Sequence, residues 1–130
     1  MIRDLLIPLL TERFPGRFLV SEPGVEPCVT FPAKHHEVGD VQIHDEGGEI
    51  TLIAGKFTHG HFSNYDEIAA MDKEKIIARN VVEFLDKLFM DQVVLWGSHA
   101  GGGGWRFIDR DSSEKPTHRK EYVWSGPRNS

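Results

Sequence analysis

The 130-residue sequence holds a single cysteine, Cys28. A lone thiol excludes a disulfide scaffold and fits a reducing compartment. Long hydrophobic runs are missing as well. The longest, Leu5 to Leu10, is interrupted by Pro8 and falls far short of the roughly 20 apolar residues a membrane-spanning helix needs. Basic charge is scarce: fifteen Lys and Arg stand against twenty Asp and Glu, a net charge of −5. Binding to nucleic acid relies on a positive field that displaces counterions, so neither nucleic acid nor membrane is an expected partner. The opening Met1-Ile2-Arg3-Asp4 has an acid where a signal peptide carries positive charge, and a cytoplasmic, bacterial-style protein is expected.

Signatures of catalysis are also absent. No Gly-x-Ser-x-Gly elbow occurs. The run Gly101-Gly102-Gly103-Gly104 leads into Trp105-Arg106, whereas a phosphate-binding loop ends in Gly-Lys-Ser/Thr ahead of a helix. The glycines therefore read as a flexible hairpin tip. Cys28 lies between Pro27 and Val29 in strand-like sequence, the setting of an inert buried thiol. The sequence argues more against an enzyme than for one.

Hydrophobic residues make up 39% and charged residues 27% of the chain, the composition and length of one globular domain. Ile2, Leu5, Leu6, Leu9 and Leu10 recur at helical spacing, with Pro8 predicting a kink or a later start. Arg17–Val20 and Cys28–Phe31 read as a first extended pair. Val38–His44 and Glu49–Phe57 read as a hairpin around Asp45-Glu46-Gly47-Gly48, with Ile43 facing Ile50 and Val41 facing Leu52. Thr58–Phe62 continues or ends that second strand. A helix is predicted over 73–90, with Ile77, Val81, Phe84, Leu85 and Leu88 as its buried stripe. Strand-like runs follow at Gln92–Trp96, Trp105–Ile108 and Glu121–Trp124, in a tail read as loosely ordered from about residue 109. The expected fold is a single α+β domain over 1–130: a mainly antiparallel sheet of five to six strands with two helices packed on one face.

Seven histidines are the oddest feature of the composition. His59 and His61, two apart on an extended strand, project to one side. The proposed register, carried onward, sets His35 opposite Thr58 and Lys34 opposite His59. His35 or His36 then becomes a third ligand, and zinc or another divalent transition metal the implied ion. A different use of the same strand end is protein contact. Asp45, Glu46 and Glu49 rim the hairpin, and residues 1–104 carry nine Lys and Arg against sixteen Asp and Glu, a net of −7. Trp105, beside the glycines, is a natural anchor for a partner.

The stretch from Glu49 to Phe62, a strand ending in His59-Gly60-His61-Phe62, precedes a polar turn, a charged amphipathic helix and a Val-rich strand. Over residues 38–108 this order resembles small bacterial α+β proteins of the polymorphic-toxin immunity type. The resemblance implies an acidic cytoplasmic monomer or homodimer that neutralises a basic toxin or enzyme by binding it, without catalysis and without a cofactor. The partner surface expected is then Asp45, Glu46, Glu49, His59, His61 and Trp105. The alternative is a metal-binding protein or small metal-dependent enzyme whose site is His59, His61, His35 and His36.

Overall fold

The structure is a computed structural model that describes residues 2–64, 70–108 and 120–128. Its first helix, α1 (Ile2–Arg13), runs unbroken through Pro8. The proline removes only the one bond to the carbonyl of residue 4, in the first turn, so the helix survives it. Ile2, Leu6 and Leu10 are fully buried. The stripe is narrower than predicted, because Leu9 is exposed and Leu5 only half-buried.

Five short strands then form an antiparallel sheet in sequence order: β1 (Leu19–Val20), β2 (Val29–Phe31), β3 (Val41–Asp45), β4 (Ile50–Ala54) and β5 (Thr58–Phe62). The β3–β4 hairpin is present with its register displaced: Ile43 pairs with Leu52, and Asp45 with Ile50. The Glu46 N–H donates to the Glu49 carbonyl at 2.9 Å, so Gly47-Gly48 is a two-residue turn. Gly47 holds the positive φ such a turn requires. A displacement of two residues keeps every side chain on its predicted face. Val41, Ile43, Ile50 and Leu52 are all buried together.

The continuation of β4 into Thr58–Phe62 is a misreading that the structure corrects. The chain reverses at Gly55-Lys56-Phe57, and β5 runs back along β4, with Ala54 opposite Thr58 and His59 opposite Ile53. Gly55 sits at φ 59°, and a Cβ there would lie 2.1 Å from the Val38 carbonyl oxygen. Glycine alone fits this reversal. His35 and Lys34 consequently have no strand partner at Thr58 and His59.

Helix α2 (Ala70–Phe89) buries Ile77, Ala78, Val81, Phe84, Leu85 and Leu88. It ends at Asp91, whose φ of 59° is the left-handed conformation that terminates helices. Its aromatics join the first sheet: Phe89 and the Phe14 that follows α1 each pack on Phe31, at centroid distances of 5.0 and 5.8 Å. Phe84 meets Phe62 at 5.7 Å.

A second antiparallel sheet follows, in the order β7-β6-β8-β9, from β6 (Val93–Ser98), β7 (Gly102–Phe107), β8 (Glu121–Val123) and β9 (Gly126–Pro127). The fold is α+β and mainly antiparallel sheet, divided into two sheets of five and four strands where one of five to six was expected. Three of the four glycines belong to β7 and are not a loop. A Cβ at Gly103 would lie 2.1 Å from the Phe57 carbonyl oxygen, and one at Gly104 would lie 2.5 Å from the Trp96 ring. Gly103 and Gly104 are glycine because β7 lies against the β4–β5 turn and under Trp96, and Gly102 holds a positive φ of 85°. Part of the predicted loose tail, 109–119, lies outside the described residues. Residues 121–127 are folded, with Trp124 only 3% exposed against Phe89. No helix among the described residues is long and apolar enough to cross a membrane.

Candidate functional site

Alternation along β5 places His59 and His61 on one side of the first sheet. Both are exposed, with ring centroids 5.1 Å apart and rings nearly perpendicular. On β4, Thr51 lies opposite His61. Its hydroxyl is 3.0 Å from His61 Nδ1, and a Glu49 carboxylate oxygen is 2.7 Å from the same nitrogen. An N–H at Nδ1 would donate to the carboxylate. One predicted contact residue, Glu49, thus orients the ring of another. Thr51 is 8% exposed beneath them and gives the imidazole a rigid seat.

Sequence reasoning missed the third imidazole of this surface. His99, from the β6–β7 turn, stacks beside His59 at 6.1 Å with an interplanar angle of 20°, and its Nε2 is 3.2 Å from the Gly55 carbonyl oxygen. His59 and His99 border a shallow depression of about 540 Å³ floored by Thr51 and Ile53. The signal was available: His99 sits at the tip of a predicted hairpin, but which sheet that tip would reach depends on how the two sheets meet.

His35 and His36 lie elsewhere. Their rings stack on each other at 4.8 Å. His35 Nδ1 accepts the Glu37 N–H at 3.1 Å, and the ring lies against Gly126, where a Cβ would come within 2.9 Å of it. The structure therefore brings together His59, His61 and His99 and does not join His35 or His36 to them. Among the described residues, no three His, Cys, Asp or Glu side chains are arranged as a metal-ion cage.

The hairpin acids divide in the same way. Glu46 is exposed at the turn, and Glu49 is half-buried against His61. Asp45 is 7% exposed. Its carboxylate accepts the backbone N–H groups of Arg3 and Gly47, each at 2.9 Å, while its own N–H donates to Glu26 Oε1 at 2.9 Å. These bonds hold α1 to the hairpin and leave Asp45 little to offer a partner.

His61 also borders a second feature. A groove of about 410 Å³ opens between β5, α2 and β7, lined by His61 and Phe62, by Asn80, Glu83, Phe84 and Lys87, and by Trp105 and Phe107. Trp105 is half-buried, its centroid 4.9 Å from Phe84 and 5.0 Å from Phe107. Its indole nitrogen would lie 3.7 Å from a Cβ on Gly60, so the ring crosses β5 where that strand has no side chain. Phe107 is 42% exposed, and the Lys87 ammonium sits 4.4 Å from its ring centroid. Two residues chosen from the sequence for separate reasons, His61 and Trp105, meet here.

Cys28 stands apart from all of this. It is fully buried, its thiol 3.3 Å from the Ile43 carbonyl oxygen. Burial, with the nearby charge of Glu26 adding to it, pushes the thiol pKa up to about 11. No thiolate forms at neutral pH, and the residue is inert as a nucleophile. No protein-family model, curated protein or solved structure matches this chain.

Proposed function

We propose that this chain is a non-enzymatic binding protein of the immunity or accessory type, acting in the cytoplasm by occupying a protein partner such as a basic toxin or enzyme. The observation that carries this reading is the meeting of Glu49, His61 and Trp105 at one end of β5. A fixed carboxylate–imidazole pair there adjoins a half-open aromatic groove. Aromatic anchors beside polar groups are what partner-binding surfaces present. Phe31 and Phe62 of the first sheet meet the α2 rings Phe89 and Phe84, while His59 and His61, on the other side of β5, are exposed, which supports an approach of the partner from that side. A net charge of −5 favours encounter with a basic one.

Capture from the native host tests the reading. The expected result is a protein partner whose recovery falls with Glu49→Lys and, to a lesser degree, Glu46→Lys. Recovery of no partner, or charge-reversal variants that retain it as the wild type does, would overturn the proposal.

A further inference from the structure

Building on that binding surface, we propose that the groove between β5, α2 and β7 is a pocket for an arginine side chain of the partner. Three properties of its wall point to this residue. The first is accessible aromatic area from two strands: Phe62 of β5, and Trp105 with the exposed Phe107 of β7, all backed by the buried Phe84. The second is that one of these rings already holds a cation. The Lys87 ammonium over Phe107 at 4.4 Å shows that this ring face accepts positive charge. The third is Glu83, one helical turn before Lys87, which is exposed in the same wall and makes no hydrogen bond or ion pair among the described residues. Lys87 is engaged on a ring while Glu83 has no protein partner among the described residues, so the carboxylate is the group in this wall left for a ligand to pair.

A guanidinium answers all three. It is flat, stacks on aromatic faces, pairs with a carboxylate through two N–H groups, and sheds water more readily than an ammonium. Lysine would lose more hydration on entering between the rings. In the free protein Lys87 is then a placeholder. An incoming guanidinium displaces it from Phe107 and takes up Glu83.

The test uses the purified full chain and two capped tripeptides, Gly-Arg-Gly and its citrulline counterpart, which has nearly the same shape without the charge. Binding is read from the Trp105 indole N–H resonance in an NMR titration. The arginine peptide is expected to bind about tenfold more tightly than the citrulline peptide, as a cation–π contact combined with a charged hydrogen bond implies. Glu83→Gln should weaken arginine binding several-fold and leave citrulline binding unchanged, with the ring contribution to the preference remaining, and Lys87→Met should tighten arginine several-fold. Both positions are exposed, so the fold survives either change. Equal binding of the two peptides, an unaffected Glu83→Gln variant, or a Lys87→Met variant that binds no better would each overturn the pocket. The outcome is separable from that of the broader reading. A host partner that responds to Glu49→Lys but not to Glu83→Gln retires the arginine pocket and keeps the binding surface. An arginine peptide that titrates when no partner can be captured does the reverse.

Discussion

The carboxylate of Asp45 accepts the backbone N–H of Arg3 at 2.9 Å, across 42 positions of sequence. The first N–H groups of a helix have no partner inside it, and a carboxylate there also meets the positive end of the helix dipole. Asp45 thus caps α1 from the β3–β4 hairpin, and the cap ties the helix to the sheet. Asp45→Ala should lower stability by about 1–2 kcal/mol, the usual range for loss of a helix cap. Glu46→Lys, at the exposed turn beside it, should change stability by less than about 0.5 kcal/mol. Urea denaturation of the two variants checks this. Equal losses would show that the cap does not stabilise the fold.

The glycines of β7 carry a second prediction. The approach of Gly103 to the Phe57 carbonyl involves backbone on both sides, so nothing can rotate away. Gly103→Ala should cost about 2–3 kcal/mol, the scale of overpacking a tight contact. Gly48→Ala serves as the control, since a Cβ there meets nothing within 4 Å and its φ is not in the left-handed region. Paired thermal melts should show a large drop in Tm for the first and almost none for the second. A mild Gly103→Ala would mean that β7 stands off the β4–β5 turn.

These two sites mark the limit of what the sequence discloses. Period-two alternation reveals the inward faces of β3 and β4, and the period of 3.6 reveals the stripe of α2, because both depend on local spacing alone. Gly55 and the β7 glycines were the errors, and for one reason. Gly55 and Gly103 are glycine because of a distant backbone, Val38 for one and Phe57 for the other, and no local pattern records that. The reversal at Gly55 did leave a trace, a glycine within a strand-like run, where a three-residue hairpin was an alternative to continuation. Missing it moved β5 to the wrong partner and assigned His35 a neighbour it does not have. His59 and His61 were placed correctly, since their common side follows from alternation whichever strand pairs with theirs. His99 and Glu83 reach the surface only through the meeting of the two sheets and α2.

Cys28 provides a prediction that depends on pH. Its pKa in the folded protein, about 11, lies above the usual thiol value, so the folded state holds its proton longer than the unfolded chain does. Below about pH 8.5 both states are protonated and the group is neutral for stability. From there to about pH 11 the unfolded chain ionises first, and stability should fall across that window. Cys28→Ala should flatten this part of the stability profile, at the expense of a small cavity. Alkylation by iodoacetamide at pH 8 should be slow in the native protein and fast in denaturant. Rapid native labelling would place the thiol in contact with solvent.

The pair of Glu49 and His61 separates a binding role from a structural one. Both side chains are partly exposed, at 32% and 52%, despite their 2.7 Å contact. Ion pairs so open to water contribute under about 1 kcal/mol, and salt weakens them further. Glu49→Gln should therefore leave Tm nearly unchanged while releasing the imidazole from its fixed angle. Thr51→Val removes the neighbouring hydroxyl and tests the other constraint on the same nitrogen. If the pair exists to present His61 to a partner, each variant should weaken partner recovery, and the double variant should weaken it by less than the sum of the two effects. Such non-additivity is expected when two groups position one ring. The measurement is a double-mutant cycle on partner affinity, run beside melts of the same proteins. A large drop in Tm with unchanged affinity would make the pair a fastener between β4 and β5 and remove His61 from the contact surface.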